Sequence, residues 1–250
     1  MSHHRLEVEN LEFAYRCGRP VLDGISFLIR HGESVGIIGA NGAGKSTLLL
    51  LLMGVLQPES GRIMVGDTLM TAKTLPQIRQ RLGLVFQDPD DQLFMPTVYD
   101  DVAFGPRNSG MDEQEVKLRV TRALEETGIA ELASRPPYRL SGGEKRSASI
   151  ASILAMDPDI LILDEPSSSL DPRARRRLIG LLGQFNHTRI ITSHDLDLIL
   201  ETCSRTIILS HGKIAADGPT REILTNAELL EATGLELPLS LYNQNIDSNI

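Results

Sequence analysis

Gly39-Ala-Asn-Gly-Ala-Gly-Lys-Ser46 decides the reading of this chain. It is a full match to G-x-x-x-x-G-K-[ST], a pattern in which backbone N–H groups of a glycine-rich loop converge on phosphate and the positive end of the next helix adds to the field. The flanks agree with it. Ser34-Val-Gly-Ile-Ile-Gly39 is a short apolar strand, and the leucine-rich segment 47–56 has helical character. Strand, glycine loop and helix in that order form the βα unit of a nucleotide-binding sheet. Gly39, Ala40, Asn41, Gly42, Ala43 and Gly44 line the loop, with Thr47 just past it. Lys45 brings a mobile ammonium to the outer phosphates, and the Ser46 hydroxyl ligates Mg²⁺.

Outward from the loop, Leu6, Val8, Leu11, Phe13 and Tyr15 are spaced mostly by two, and Ile25-Ser-Phe-Leu-Ile-Arg30 is a second β-rich run. Strands are predicted again at 62–65 and 82–86. Between about 96 and 156 the pattern takes a helical period, with Asp112 capping a helix that Gly128 ends and Ser141 capping another. An apolar strand resumes at Ile160-Leu-Ile-Leu163. A helix over 172–185, a strand over 189–192, a helix from Asp195 and strands at 206–209 and 213–216 follow. Strands alternating with helices predict an α/β fold around a mostly parallel sheet covered on both faces. The expected organisation is a single domain over 1–235, with its core at 1–95 and 157–235 and an inserted helical lobe at 96–156. The stretch 236–250 loses periodicity and is expected to be a loosely held tail. No internal repeat is visible.

Composition narrows the partners. Against 33 Asp and Glu stand 25 Lys and Arg, a net charge of −8, which argues against coating nucleic acid or anionic lipid through bulk charge. A local basic groove stays open. The absence of Trp and an aromatic content of 4% disfavour a stacking platform for single strands. Cys17 and Cys203 are too few for a disulfide framework and suit a reducing cytosol. The longest apolar run, 48–56, is interrupted by Gly54 and falls far short of the ~20 residues that span a bilayer. Residues 1–7 lack the apolar core of a secretion signal. The chain is expected to be soluble by itself and to reach a membrane through a partner.

Three further stretches carry chemistry. In Ile160-Leu-Ile-Leu-Asp164-Glu165-Pro166 the buried run delivers Asp164 to the carboxyl edge of the sheet, where it holds Mg²⁺ through water, and Glu165 orients and deprotonates an attacking water. Leu140-Ser-Gly-Gly-Glu-Lys-Arg146 opens a helix with a serine cap and unblocked N–H groups, a second anion site or, taken alone, a plain cap. Two such sites suggest two protein surfaces meeting around one phosphate tail. His194, in Ser193-His194-Asp195, ends a strand of the same sheet near the outer phosphate, whereas His3, His4, His31, His187 and His211 have no ligand spacing.

Together these residues resemble an ATP-binding cassette (ABC) ATPase over about 5–224, because six separated motifs occur in that family's order: Tyr15, 39–46, Gln87, 140–144, 160–165 with Ser168-Ser-Leu-Asp171, and His194. The resemblance implies a P-loop nucleoside triphosphate hydrolase of ABC type, with an antiparallel β lobe beside the parallel core, using ATP and Mg²⁺. It implies that Tyr15 stacks on adenine and that Gln87 joins Ser46 and Asp164 at the metal. Glu165 is then the catalytic base, with Lys45 and His194 acting on the terminal phosphate. Ser141, Gly142, Gly143 and Glu144 contact ATP bound to the opposite subunit, and Asp171 counts among the nucleotide-binding residues. With one phosphate loop and one signature helix, the chain is expected to dimerise with itself or with a homologous cassette, closing around two ATP molecules.

A narrower resemblance lies in Gln87-Asp-Pro-Asp-Asp-Gln-Leu-Phe94 and Pro96-Thr-Val-Tyr-Asp-Asp-Val-Ala-Phe-Gly-Pro106. These are similar to the cobalt/nickel subgroup of energy-coupling-factor importers. It implies a transmembrane coupling protein and a substrate-binding membrane subunit as partners, no nucleic acid, and a location on the cytoplasmic face of the cell membrane. Asp90, Asp91, Asp100 and Asp101 are then candidates to receive basic residues of coupling helices, or else form a solvated acidic loop and a helix N-terminal turn. Ser147, where many members carry a basic residue, and the serine-rich Ser167-Ser168-Ser169 depart from the family pattern. The cargo stays open among cobalt, nickel, biotin and other vitamins. Two other readings are a soluble ABC-type ATPase acting on DNA or the ribosome, and a small-molecule kinase. The first usually has a long coiled coil or tandem cassettes, and the second leaves 140–144 and His194 unexplained.

Overall fold

The computed structural model describes residues 5–242 apart from Cys17, Arg19 and Asn186. His3, His4, Cys17, residues 1–4 of the stretch read for a secretion signal and residues 243–250 of the expected tail lie outside them. In chain order the regular elements are β1 (Leu6–Ala14), β2 (Pro20–Ile29), β3 (Ser34–Ile38), α1 (Lys45–Leu52), β4 (Ser60–Val65), β5 (Thr68–Leu69), α2 (Leu75–Arg81) and β6 (Leu82–Val85). Then come α3 (Val98–Asn108), α4 (Glu113–Glu126), α5 (Gly142–Leu154), β7 (Ile160–Asp164), α6 (Pro172–Gln184), β8 (Thr188–Thr192), α7 (Leu196–Thr202), β9 (Arg205–Ser210), β10 (Lys213–Pro219), α8 (Thr220–Thr225) and α9 (Ala227–Ala232). They form two compact units, one from Met1–Arg79 with Asn186–Ile250 and one from Gln80–Phe185.

The first unit holds two sets of strands. An antiparallel sheet runs β2-β1-β4-β5, and β1 buries Leu6 and Val8 and then, past an irregularity at Asn10, Leu11 and Phe13. In the second set β3 lies between β8 and β9, parallel to both, with β10 antiparallel on the far side of β9. All five residues of β3 are buried, as expected when both faces of a parallel sheet are covered, and the Ser34 hydroxyl that opens it donates to the Thr202 carbonyl. Ile37 pairs with Thr192, so the loops after β3 and β8 leave the sheet at one edge. α1 stops at Leu52, short of the predicted 56, because Gly54 turns into the left-handed region (φ +61°). Of the stretch expected as a loose tail, residues 236–242 are described. Residues 239–242 form a helical turn in which the N–H groups of Leu239 and Ser240 and the Ser240 hydroxyl donate to the Asp197 carboxylate in the first turn of α7.

The second unit pairs β6 and β7 in parallel, from Leu82 against Ile160 to Val85 against Leu163. Helices α3, α4 and α5 share a core that includes Val98, Val102, Val116, Val120, Ala148 and Ala151. The caps that start them are Thr97, Asp112 and Ser141, and at Ser141 the reciprocal Glu144 contact completes a capping box. These helices lie within 98–154, and the compact unit that holds them, Gln80–Phe185, also takes in β6, β7 and α6. Helix α3 was not separately legible in sequence, since Gly105 and Pro106 interrupt its pattern.

Candidate functional site

The first unit contributes the glycine loop, Tyr15 and His194. Gly39 follows β3 where a side chain has no room: a Cβ there would lie 2.3 Å from the Leu209 carbonyl oxygen. Gly44 precedes α1 with φ +105°, a conformation that L side chains rarely adopt. The first turn of α1 carries no acidic residue, so the partial positive charge of its start is left for an anion. Lys45 is 8% exposed. Its Nζ donates to the carbonyl oxygens of Gly39 (2.6 Å) and Ala40 (3.4 Å) and lies 3.3 Å from His194 Nε2. Asn41, Gly42 and Ser46 are exposed, Ala40 is half-buried, and Ala43 and Thr47 are buried. The Tyr15 hydroxyl is 3.3 Å from Thr47 Oγ1, and its ring stands edge-on to Phe13 with 4.9 Å between centroids. That leaves the Tyr15 ring 47% exposed and anchored to the helix that the loop opens.

The second unit carries the other predicted residues. The β6–β7 register brings the residues after Val85 and Leu163 to one edge, and Gln87 and Asp164 line one cavity of about 390 Å³ with Asp88, Asp91 and Ser168. Glu165 holds φ +44° and Ser169 φ +62°. Such conformations in non-glycine residues cost about 1–3 kcal/mol each and concentrate at functional turns. The Asp171 carboxylate accepts from the N–H groups of Ala174 and Arg173, which cap α6 and hold the acid below the usual range. Glu144 is likewise held low, by the Ser141 N–H and then by its hydroxyl. Gly143 lets α5 approach α6, since a Cβ there would lie 2.8 Å from Ala174 Cβ. Ser147 lines a separate cavity of about 350 Å³ with Gly128, Gly143 and Leu178.

The expectation for the four docking carboxylates needs correcting. Asp101 is 4% exposed, and its Oδ1 accepts from the N–H groups of Phe94 (2.9 Å) and Met95 (3.0 Å). Burial pushes this carboxyl up. It organises a turn and is not presented to a partner. Asp100 accepts from the Thr97 hydroxyl and pairs with Arg107, so it serves the start of α3. Asp90 and Asp91 remain exposed, Asp90 in a pair with Lys145 at 2.6 Å. The sequence reading also passed over Arg146, whose guanidinium holds the carbonyls of Phe86 and Gln87. Its signal was its place on the apolar stripe of α5, one turn before buried Ile150.

Comparison with known proteins fits both halves. Residues 22–168 match the profile of the family described as ABC transporter. The chain belongs to the ABC transporter family. This ABC ATPase is 60% identical over 241 residues to a Geobacter sulfurreducens protein provisionally named an ABC transporter ATP-binding protein, covering 96% of this chain and 97% of the other. It is 46% identical to the energy-coupling factor transporter ATP-binding protein EcfA of Carboxydothermus hydrogenoformans, over 94% of this chain and 87% of that one. Among solved structures, cbiO1 from Clostridium perfringens, described as part of the ABC transporter complex cbiONQ, superposes with a TM-score of 0.82 at 38% identity, covering 91% and 93% of the two chains. The ABC cassette is therefore an ATP-binding transporter subunit of the EcfA- and cbiO-like kind, and its activity is ATP hydrolysis coupled to transport. No helix among the described residues is long and apolar enough to cross a membrane.

Proposed function

We propose that this chain is the ATP-hydrolysing subunit of an importer for cobalt or nickel ions, attached to the cytoplasmic face of the cell membrane through a transmembrane coupling protein and a substrate-binding membrane subunit. The observation that carries the nucleotide chemistry is the Lys45 ammonium, held at the mouth of the glycine loop by Gly39 and Ala40 carbonyls and within reach of His194. A buried cation beside an acid-free helix start is built for a phosphate tail. Tyr15, with its ring open to solvent and its hydroxyl against Thr47, takes the adenine. The hydroxyl and carboxylate oxygens of Ser46 and Asp164, with the Gln87 side-chain oxygen, are the hard donors that Mg²⁺ prefers; the bound metal would offset phosphate charge. Glu165, fixed by its left-handed turn, orients water and takes its proton. His194 and Lys45 hold the terminal phosphate. Ser141, Gly142, Gly143 and Glu144 serve nucleotide bound to a second cassette, identical or homologous, Asp171 counts among the nucleotide-binding residues, and the dimer closes on ATP and reopens after hydrolysis.

The cargo and partners rest on the similarity to EcfA and to cbiO1 of the cbiONQ complex, together with the exposed acidic turn at Asp90 and Asp91. The test is reconstitution of the cassette with its co-purifying membrane subunits in liposomes. ATP-dependent uptake of Co²⁺ or Ni²⁺ that Lys45→Ala abolishes is expected. Uptake of biotin or another vitamin with no metal uptake overturns the cargo, and ATPase stimulated by DNA or ribosomes with no membrane subunit recovered overturns the importer.

A further inference from the structure

Arg146 heads the large side chains that are almost wholly buried, at 2% exposure. Burial lowers its pKa to about 10, against the opposing pull of Asp88 and Asp164, so it keeps its charge at neutral pH. A guanidinium withdrawn from water is destabilising unless hydrogen bonds offset the loss. Two short ones do. Nη1 donates to the Phe86 carbonyl and Nη2 to the Gln87 carbonyl, both at 2.6 Å, so the planar fork grips two successive peptide groups. A second tie lies at the other end of the same turn. Gln92 Oε1 accepts from the Phe86 N–H at 3.1 Å, while Nε2 donates to the Ser149 carbonyl at 2.8 Å and to the Ser152 hydroxyl at 2.9 Å. Arg146, Ser149 and Ser152 all lie on α5, the helix whose first turn is Gly142-Gly143-Glu144.

We propose that Arg146 and Gln92 are positioning residues for ATP hydrolysis: they clamp the main chain of Gln87 to α5, so that Gln87 moves only as that helix moves. The signature turn and the metal-side glutamine are then one rigid element, and whatever seats or releases the start of α5 also sets Gln87. This inference rests on the reading of Gln87 as a metal-side ligand given above, and the geometry of the clamp is independent of it.

The test uses the full chain carrying Arg146→Lys, which keeps the charge but loses the planar fork. Hydrogen–deuterium exchange should quicken in peptides spanning 86–93 and stay unchanged in 45–52. Metal-free ATP affinity should stay within about twofold, while kcat falls and the half-saturating Mg²⁺ concentration rises by about 10- to 100-fold, the usual loss when an outer-shell partner goes. In a Gln87→Ala background, adding Arg146→Lys should change neither quantity further, because both variants act through one group. Multiplicative losses in the double variant, or unchanged exchange at 86–93, overturn the proposal. If Gln87→Ala by itself leaves the Mg²⁺ requirement unaltered, the metal reading of Gln87 fails, and the exchange result alone decides whether the clamp exists. Should Arg146→Lys not fold, Gln92→Met removes the opposite tie with no change of charge and must reproduce the same exchange and Mg²⁺ shifts; wild-type values there also overturn the clamp.

Discussion

Lys45 Nζ and His194 Nε2 stand 3.3 Å apart although 149 residues separate them in sequence. The pairing of Ile37 with Thr192 brings this about, since it sends the loops after β3 and β8 off one edge of the sheet. With two loop carbonyls also on the ammonium, Lys45 is fixed where a phosphate tail would meet it. Replacing it by alanine removes the cation but leaves the glycine loop in place. Lys45→Ala is expected to weaken ATP binding by a factor of about 100 or more, in line with the loss of a hydrogen-bonded buried charge, with little change in thermal stability. Equilibrium titration with a fluorescent ATP analogue measures this; affinity within a few-fold of wild type removes Lys45 from the site.

Glu165 sits at the end of β7 in a backbone conformation that few non-glycine residues adopt. Strain of that kind persists only where the surroundings fix it, so the carboxylate arrives at a set place. Glu165→Gln preserves shape and removes the base. ATP binding is expected to persist while turnover falls by about 1000-fold, the range seen when a group acting on the transition state is lost. Size-exclusion chromatography with ATP should show a persistent dimer. Hydrolysis at the wild-type rate rejects Glu165 as the base.

The sequence made much of this legible, and unevenly. Gly39 to Ser46, the apolar runs of β3 and β7, and the caps at Asp112 and Ser141 are local signals, each decided within a few residues of itself. They were read because a phosphate loop, a parallel strand and a helix cap carry their chemistry in consecutive positions. What stayed hidden depends on contacts between distant segments. The apolar stripe of α5 hints that Arg146 is buried, but what it holds is hidden until Phe86 and Gln87 are seen against it, 60 and 59 residues away. Asp101 reads as an acid at a helix start until the Phe94–Met95 turn is seen to close on it. The tie from Asp197 to residues 239–242 is of the same sort, because nothing near Ser240 in sequence announces a partner.

Asp101 accordingly answers to a stability measurement. Asp101→Ala leaves two N–H groups without their acceptor and is expected to destabilise by about 2 kcal/mol. Its pH dependence has a definite sign. Burial, the leading cause, raises the folded carboxyl above its usual value, so the stability linked to its proton is fully present below the ordinary Asp value near 3.8 and is lost as pH rises through the raised value. Relative to Asp101→Asn, the wild type should therefore gain stability as pH falls across that window. Denaturant unfolding of both proteins at several pH values measures the gap; a gap that moves the other way shows that the buried carboxyl is stabilised in its charged form.

The surviving docking candidates, Asp90 and Asp91, are separable by what each already does. Asp90 is paired with Lys145, but its side chain is 65% exposed, and an exposed pair contributes about 0–1 kcal/mol. Asp91 has no ion pair among the described residues and lines the same cavity as Gln87 and Asp164. If, as proposed, a basic helix of the membrane partner docks on this turn, it gains most from Asp91, because no ion pair has to be displaced first. Asp91→Lys is therefore expected to weaken recovery of the detergent-solubilised membrane subunits by about tenfold, as a like-charge contact at a rim does, and mainly through a slower on-rate that salt restores. Asp90→Lys also sets two cations against each other at Lys145, so its loss should be the larger at low salt. ATP affinity of the isolated Asp90→Lys cassette serves as the control and should not move, because Asp90 does not line the cavity of Gln87 and Asp164. Full recovery of the co-purifying membrane subunits with both aspartates reversed overturns the docking role proposed for Asp90 and Asp91.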